Sequence, residues 1–166
     1  MIKSKTNQYV RYIEETRIFY GEQGYSPYQW TVNESGPLTS MKKPLSQCRV
    51  ALVSTGGLYH MSQTPFENHR NDMTFRELPK DVDVKELSII HYAYDHSDAA
   101  RDPNCVFPID RLRELETEGF IGEVATINYT MMGAIFRRTA IKNELALELV
   151  DKLLQSKVDV LLMIPA

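Results

Sequence analysis

Arg49-Val50-Ala51-Leu52-Val53-Ser54, followed by Thr55-Gly56-Gly57, is the stretch that decides the fold of this chain. The apolar run predicts a strand, and the two glycines break it. After this stretch, predicted strands alternate with predicted helices, which implies right-handed crossovers and a mostly parallel sheet. The predicted fold class is therefore α/β: an open, mostly parallel sheet with flanking helices in a Rossmann-like three-layer arrangement, preceded by an N-terminal helix and an irregular arm.

The segments after this stretch supply the alternation. A helix is predicted for residues 108–118, where Gly119 closes it, and the strongest helix for residues 142–156, where leucines form one stripe. The segment 158–166 reads as a fully buried parallel strand, because it is a short apolar run with Pro165 at its exit. The predicted strands are residues 49–54, a short edge strand at 73–78, then 88–94, 124–130 and 158–166.

The N-terminal part of the chain has a different character. Residues 7–20 predict an amphipathic helix, because Tyr9, Tyr12 and Ile13 begin a series of three- and four-residue steps. Gly21 and Gly24 then end it. Residues 21–47 are rich in Gly, Pro, Ser and Tyr and predict an irregular segment. We divide the chain into an N-terminal helix and wrapping arm, 1–47, and an α/β domain, 48–166, which we expect to be incomplete at its C-terminus.

Composition argues against several classes of protein. A net charge of -3 over 166 residues argues against a basic nucleic-acid face and a polybasic membrane anchor. No apolar run approaches the length of a membrane span, and residues 1–8 lack the apolar region of a secretory signal. Cys48 and Cys105 are too few for a disulfide scaffold and have no metal-site spacing. A cytoplasmic protein without a metal site is predicted.

Two glycine-containing loops are expected at the carboxyl edge of the sheet, where α/β proteins bind ligands. Thr55, Gly56 and Gly57 form the first loop, whose backbone N–H groups can approach an anion. A plain turn that needs glycine is the alternative. The second loop leaves the third strand and contributes Tyr129, Met132 and Gly133 as cleft-lining candidates. Methionines at such places more often fill a core or an interface.

A third loop holds the densest polar cluster, just past the predicted strand 88–94. In it, His96 lies between Asp95 and Asp98, and such a histidine can act as a base or bind a metal. The alternative is that the aspartates cap a helix and satisfy loop donors. Cys105, at the entry to the next helix, keeps a possible role as nucleophile, although a lone cysteine there is usually a small buried hydrophobe.

Taken together and in order, these motifs resemble the selenoprotein B family of glycine/sarcosine/betaine reductase and D-proline reductase. The resemblance covers roughly residues 45 to 166, and the arm resembles the shorter, proline-reductase-like members. The segments that carry it are Val50–Gly57, Phe75–Pro79, Tyr94–Asp98 with Arg101–Asn104, Val106–Leu115, Glu118–Gly122 and Met132-Gly133.

The resemblance implies a catalytic group outside this chain. In the family, the strand similar to 158–166 is followed at once by selenocysteine or cysteine, with a second cysteine three positions on. That thiolate or selenolate is the nucleophile of a reductive C–N bond cleavage, so the catalytic residue is expected immediately after Ala166. A UGA codon read as a stop would give such an end. Cys105 does not match the family's nucleophile.

The resemblance also implies partners. In D-proline reductase the substrate is held on a pyruvoyl group of a partner subunit, so no cofactor is expected on this chain itself. We expect a partner reductase subunit, in a hetero- or homo-oligomer, and an amine or amino-acid substrate. The competing class is a non-catalytic module of α/β fold for small-anion binding or assembly. A nucleotide binder is a weaker alternative, because the glycine pattern is incomplete.

Overall fold

The stretch 49–57 forms a strand and its exit turn in the computed structural model, which describes residues 11–27, 32, 34–36, 39–67 and 71–166. The chain divides into two units, Met1–Thr39 and Ser40–Ala166, which are described separately below. The domain boundary drawn from the sequence between residues 47 and 48 stays a prediction.

The first unit contains helix α1, Tyr12–Glu22. It ends two residues later than predicted, so Gly21 lies inside the helix, and Gly24 follows with a φ of 81°. An ion pair joins Arg11 to Glu14 over 2.8 Å in the first turn. The predicted helical residues 7–10 and the part of the arm at 28–31 lie outside the described residues.

The second unit holds the sheet and its helices. Its strands are β1 (Arg49–Ser54), β2 (Leu58–His60), β3 (Phe75–Pro79), β4 (Leu87–Ile89), β5 (Glu123–Val124), β6 (Ile127–Met131) and β7 (Val160–Ile164). Its helices are α2 (Ser97–Arg101), α3 (Ile109–Thr117), α4 (Arg138–Ala140) and α5 (Ala146–Gln155), and a π-helical turn at Ile141–Leu145 joins α4 to α5. Among the described residues, no helix combines the length and apolar character that crossing a membrane requires.

Strand β1 is the centre of the main sheet. It pairs in parallel with β7 along its length, from Val50 opposite Val160 to Ser54 opposite Ile164. On its other side it pairs in parallel with β5 at its start and with β6 at its end. Strand β3 pairs antiparallel with β6 at the edge. The prediction of an α/β fold with a mostly parallel sheet is confirmed, while the Rossmann-like three-layer detail stays a prediction.

Asn128 bridges the interruption between β5 and β6, which the sequence predicts as one strand. Its side chain is fully buried, and its Oδ1 accepts a hydrogen bond of 2.8 Å from the backbone N–H of Leu52. Its Nδ2 donates to the carbonyl of Ala125 over 3.0 Å. The amide therefore replaces strand-to-strand bonds that the backbone alone does not make here, as buried backbone groups require.

The two faces of β1 pack against different helices. Val50 and Leu52 point into an apolar cluster with Phe107, Ile109 and Leu112, the last two on α3. Ala51 and Val53 point into a second cluster, whose helical members are Leu145 in the π-helical turn and Leu149 and Leu153 on α5. Because side chains alternate along a strand, burial on both faces follows from the unbroken apolar run in β1.

Charged groups hold the amino edge of the sheet. The Asp159 carboxylate, just before β7, accepts from the backbone N–H of Arg49 at 2.8 Å and pairs with Lys43 at 2.7 Å. The Arg49 guanidinium pairs with Glu123 of β5 at 2.8 Å and donates to the carbonyl of Ser156. These contacts hold together the starts of β1, β5 and β7.

Two predicted strands differ from the structure. The prediction of a strand at 88–94 in the main sheet is wrong, because β4 covers only Leu87–Ile89 and pairs antiparallel with β2 in a separate two-stranded sheet. The prediction that the last strand is fully buried is also wrong, because Leu161 and Met163 are 41% and 53% exposed. Within the described residues β7 pairs with β1 alone, so it is an edge strand.

Candidate functional site

The turn after β1 ties four segments together at the carboxyl edge. Thr55 N–H donates to Ile164 of β7, and Gly57 N–H donates to Met131 of β6, each over 3.0 Å. Gly57 has a φ of 70°, and a Cβ there would lie 2.1 Å from the carbonyl oxygen of Ile90. Only glycine fits this close approach of two backbones.

The N–H groups of this turn are engaged within the protein. Besides the bonds of Thr55 and Gly57, Gly56 N–H donates to the Oγ of the buried Ser54 over 3.0 Å. The predicted approach of these donors to an anion would require them to leave these bonds. The arrangement makes the turn a rigid wall.

The end of β7 lies against this wall. Ala166 N–H donates to the Oγ1 of Thr55 over 2.9 Å. A Cβ on Gly133 would lie 2.7 Å from the carbonyl oxygen of Ala166 and 3.2 Å from the carbonyl oxygen of Thr55. Two of the predicted loops therefore meet here, the one with Thr55-Gly56-Gly57 and the one with Met132-Gly133. Met132 is fully buried, and its backbone forms an isolated β-bridge with Gly56.

Tyr129 lies elsewhere. It is buried in the apolar cluster beneath α5, with its ring edge against Phe75 at a centroid distance of 5.6 Å. Burial, and secondarily the charge of Glu77, raises the pKa of its hydroxyl, which hydrogen-bonds Ser156 beyond the end of α5. Since Ser156 precedes β7, the Tyr129 hydroxyl points away from the end of that strand.

The aspartates of the third loop make local contacts. Asp95 accepts from Ser97 through its backbone N–H at 3.0 Å and its hydroxyl at 2.7 Å, and these bonds lower the pKa of the Asp95 carboxyl. Asp98 pairs with Arg101 at 3.0 Å, and both side chains are largely exposed. The described residues contain no group of three or more His, Cys, Asp and Glu placed to hold a metal ion. Local capping accounts for these contacts.

The third loop reaches the edge through other residues. Tyr94 donates its hydroxyl to the carbonyl of Gly56 over 3.0 Å, and the His91 ring lies 4.6 Å from the Tyr94 ring. The ring of His96 packs edge-on against the Tyr94 ring, with the two ring centroids 5.9 Å apart. The carboxylates that the sequence singled out are not part of these contacts.

His91 is the site residue that the sequence reasoning missed. It is only 6% exposed, and its Nε2 lies 3.3 Å from the backbone nitrogen of Gly133. Burial, followed by the charge of His96, lowers the pKa of its imidazole. The sequence signal was a single histidine within the aliphatic and aromatic run 89–94, a run that instead predicts a strand.

The two cysteines differ in accessibility. Cys48 is 1% exposed, with its Sγ 3.3 Å from the carbonyl oxygen of Pro44. Cys105 is free and exposed in the short 3-10 turn before α3, so the expectation that it is a buried hydrophobe is wrong.

A family model described as glycine/sarcosine/betaine reductase selenoprotein B matches residues 21–165 of the chain. Among curated proteins, the D-proline reductase subunit gamma of Acetoanaerobium sticklandii is 36% identical over 125 residues, 75% of this chain and 51% of that protein. The sarcosine reductase complex component B subunit beta of Peptoclostridium acidaminophilum is 31% identical over 112 residues, 63% of this chain and 25% of that protein.

The betaine reductase complex component B subunit beta of the same organism is 32% identical over 127 residues, 73% of this chain and 28% of that protein. The chain thus spans about half the length of the first of these relatives and about a quarter of the others. No solved structure gave a significant match.

Proposed function

This chain belongs to the glycine/sarcosine/betaine reductase selenoprotein B family, and we propose that it contributes to the reductive cleavage of a C–N bond in an amino acid or amine. In such a cleavage a thiolate or selenolate forms a bond to carbon with its electron pair, while the nitrogen leaves with the C–N pair and takes up a proton. The second cysteine then attacks the sulfur or selenium, and the carbon leaves with the pair of that bond and takes up a proton. The dithiol donor reduces the resulting S–S or Se–S bond. The names of its relatives describe reductase subunits, which supports action within a complex.

The nucleophile belongs, in this proposal, to a selenocysteine or cysteine directly after residue 166. The observation that carries it is the convergence at the end of β7, where Ala166 N–H bonds Thr55 and the Ala166 carbonyl lies close to Gly133, whose own N–H donates to the His91 ring. The carboxyl end of a parallel strand is where α/β proteins do their chemistry. A residue placed there would start beside the Thr55-Gly56-Gly57 turn and the loop with Gly133.

The cysteines within residues 1–166 have other roles in this proposal. Cys48 is buried at the amino edge, before β1, and Cys105 belongs to a turn ahead of α3. We expect Cys105→Ser to leave substrate turnover within about twofold of wild type, since surface substitutions rarely disturb a distant site. Turnover would be measured as amine release with a dithiol donor. Complete loss of turnover in Cys105→Ser would assign the nucleophile to Cys105 instead.

The substrate would be presented by a partner subunit carrying a pyruvoyl group, as the resemblance to D-proline reductase implies. That group supplies a carbonyl that can hold an amine. It is assigned to the partner, and no residue of this chain is assigned to holding it. This chain's part is to bring the nucleophile to the bound substrate.

The decisive experiment begins with the gene. Sequencing past the Ala166 codon should show a UGA or cysteine codon, followed by a cysteine codon three positions on. The full-length product, expressed with its partner subunit, should then consume one of D-proline, glycine, sarcosine or betaine in the presence of dithiol. Neither codon at that position, or a full-length complex inert towards all four substrates, would overturn the proposal.

The exposed face of β7 favours a second candidate function, that of an assembly module without catalysis. Leu161 and Met163 project on the same face as their partners Ala51 and Val53 but remain exposed. An apolar edge strand of this kind is a common docking surface. Binding of the partner subunit by the 166-residue chain, together with an inert full-length complex, would favour this candidate.

A further inference from the structure

The His91 imidazole lies between two backbone donors at the carboxyl edge. Ala93 N–H points at its Nδ1 over 3.1 Å, and Gly133 N–H points at its Nε2 over 3.3 Å. A neutral imidazole has one acceptor nitrogen, whereas a protonated imidazole has none, because both nitrogens then carry a proton. In either tautomer the neutral ring therefore accepts from one of these two backbone groups, and the protonated ring accepts from neither.

A charge on this ring would be poorly accommodated. His91 is only 6% exposed, so a protonated ring would be largely out of contact with water. The titratable groups that the described residues place around it are Tyr92 and Tyr94, whose rings pack at 6.1 and 4.6 Å, and His96, whose charge acts on it. From the facing loop, the backbone of Gly133 meets the ring. Burial, followed by the charge of His96, lowers the pKa of the His91 imidazole.

Gly133 connects this ring to the end of β7. The distances from the position that a Gly133 Cβ would take are 3.2 Å to the His91 Nε2, 2.7 Å to the Ala166 carbonyl oxygen and 3.2 Å to the Thr55 carbonyl oxygen. The ring therefore packs against the same backbone that packs against the end of the strand. If the ring leaves this place, Gly133 loses one of its supports.

The rest of the loop is held independently of His91. The Asn71 Oδ1 accepts from the backbone N–H groups of Phe136 and Arg137 over 2.7 and 3.1 Å. The backbone N–H of Asn71 donates to the carbonyl of Ala134 over 3.2 Å. These amide and carbonyl groups do not titrate near neutral pH. A change of protonation at His91 therefore acts on the start of the loop, at Gly133.

We infer that His91 is a pH-dependent switch at the carboxyl edge: the neutral ring stays packed against Gly133, and protonation drives the ring away from it. The proton comes from solvent, and no covalent bond between heavy atoms changes. The edge is thus closed around the end of β7 at neutral pH and opens there as the pH falls. This switch is independent of the proposed function, because it uses contacts within residues 71–166 and needs neither a nucleophile nor a substrate.

NMR spectra of the 15N-labelled protein test this switch. The Gly133 and Ala93 amide signals should shift with the same midpoint as the His91 ring, below the usual histidine value of pH 6.5. Nuclear Overhauser effects between the ring and the Gly133 amide should be present above the midpoint and lost below it. Gly119 is the internal control, because nothing lies within 4 Å of its Cβ position, and its signal should not follow this midpoint.

Two outcomes in the wild-type protein would overturn the inference. One is a Gly133 signal that does not follow the His91 ring. The other is a ring that keeps its Overhauser effects to Gly133 after it has been protonated, since the charge would then be tolerated in place. Neither measurement needs a variant, so both decide the question even if a substitution at His91 prevents folding.

His91→Gln keeps a side-chain donor and acceptor but does not titrate in this range, so the Gly133 transition should disappear. His60→Gln is the matched control, because His60 lies on β2 and bonds Ser62 and Glu86. It should leave the Gly133 midpoint unchanged. A Gly133 transition that persists in folded His91→Gln would contradict the switch.

His96→Gln tests the electrostatic part. It removes a charge that lowers the pKa of His91, so the midpoints of the His91 ring and of Gly133 should rise together. Midpoints that separate would show that another group causes the Gly133 transition, and would overturn the inference. An inert full-length complex would overturn the proposed function and leave the switch standing.

Discussion

Single glycine positions at the carboxyl edge determine how closely its segments can approach. Gly57 combines a left-handed φ with a carbonyl oxygen 2.1 Å from where a Cβ would stand, whereas Gly119 has almost the same φ, 71°, and nothing within 4 Å. The two glycines therefore separate backbone strain from steric exclusion. The close packing at the carboxyl edge depends on steric exclusion, which the folded structure reveals and the sequence alone does not.

We expect Gly57→Ala to lower the free energy of unfolding by about 3 kcal/mol, because strain and a backbone clash add. Gly119→Ala should cost only about 1 kcal/mol, from strain alone. Urea unfolding followed by circular dichroism would measure both. Equal losses would show that the Ile90 backbone moves aside freely, contrary to the rigid wall described above.

At the scale of elements, the strands differ in how much of their pairing comes from the backbone. Strands β1 and β7 form a regular ladder, while β5 and β6 are joined by the Asn128 side chain. An amide inside a sheet carries strand pairing only while both of its ends are bonded.

Asn128→Leu should therefore reduce the free energy of unfolding by about 3 kcal/mol, because it leaves the buried N–H of Leu52 and the buried carbonyl of Ala125 without the hydrogen bonds that the amide makes to them. Asn104→Leu is the control, since Asn104 bonds Asp102 and Asp110 in a half-buried loop and should cost about 1 kcal/mol. Thermal melts of both variants would measure this. A loss at Asn128 no larger than that at Asn104 would contradict the bridging role.

The sequence predicted well those elements in which the buried side chains form a recognisable apolar pattern within the element itself. Strand β1, helix α3 and helix α5 fall within or close to their predicted ranges, because a continuous apolar run or a leucine stripe specifies each of them. The segment 88–94 was predicted wrongly as one strand, because an apolar and aromatic run has the same sequence pattern whether the chain continues as a strand or turns. Its turn depends on the Gly57 and Gly56 contacts, which come from distant sequence.

The candidate site was predictable only in part for the same reason. The two glycine loops meet as strand order suggests, since each follows a parallel strand of the main sheet. Asp95 and Asp98 stood out by composition, yet their partners lie within the loop itself. No motif around His91 in the sequence marked it as a site residue. Its place at the carboxyl edge depends on the hydrogen bond from the backbone N–H of Gly133, 42 positions away.

Across the whole molecule, the two edges of the sheet are held by opposite kinds of contact. The amino edge is held by ion pairs around Asp159 and Arg49, and the carboxyl edge by neutral hydrogen bonds around Thr55 and Gly57. Acid should therefore weaken the contacts of the amino edge at a higher pH than those of the carboxyl edge.

Hydrogen bonding to Lys43, followed by that to the Arg49 backbone, lowers the pKa of Asp159 below its usual value. A carboxyl with a lowered folded pKa contributes stability above its unfolded pKa, near 4, and loses it as the pH falls through the folded value. Asp159→Asn should thus melt at lower temperature than wild type at pH 6 and approach it at pH 3. Calorimetry over this range is the measurement. A gap that stays constant with pH would contradict the role of this carboxylate.

The ladder between β1 and β7 also governs when the protein can fold. Arg49 and Asp159, joined by a hydrogen bond, are 110 residues apart in the chain. During synthesis the central strand leaves the ribosome early, but the strand that pairs with it along its length, β7, is made about 110 residues later. Long-range pairing of this kind folds slowly and leaves apolar surface open meanwhile. The nascent chain is thus an expected chaperone client until residue 164 has emerged.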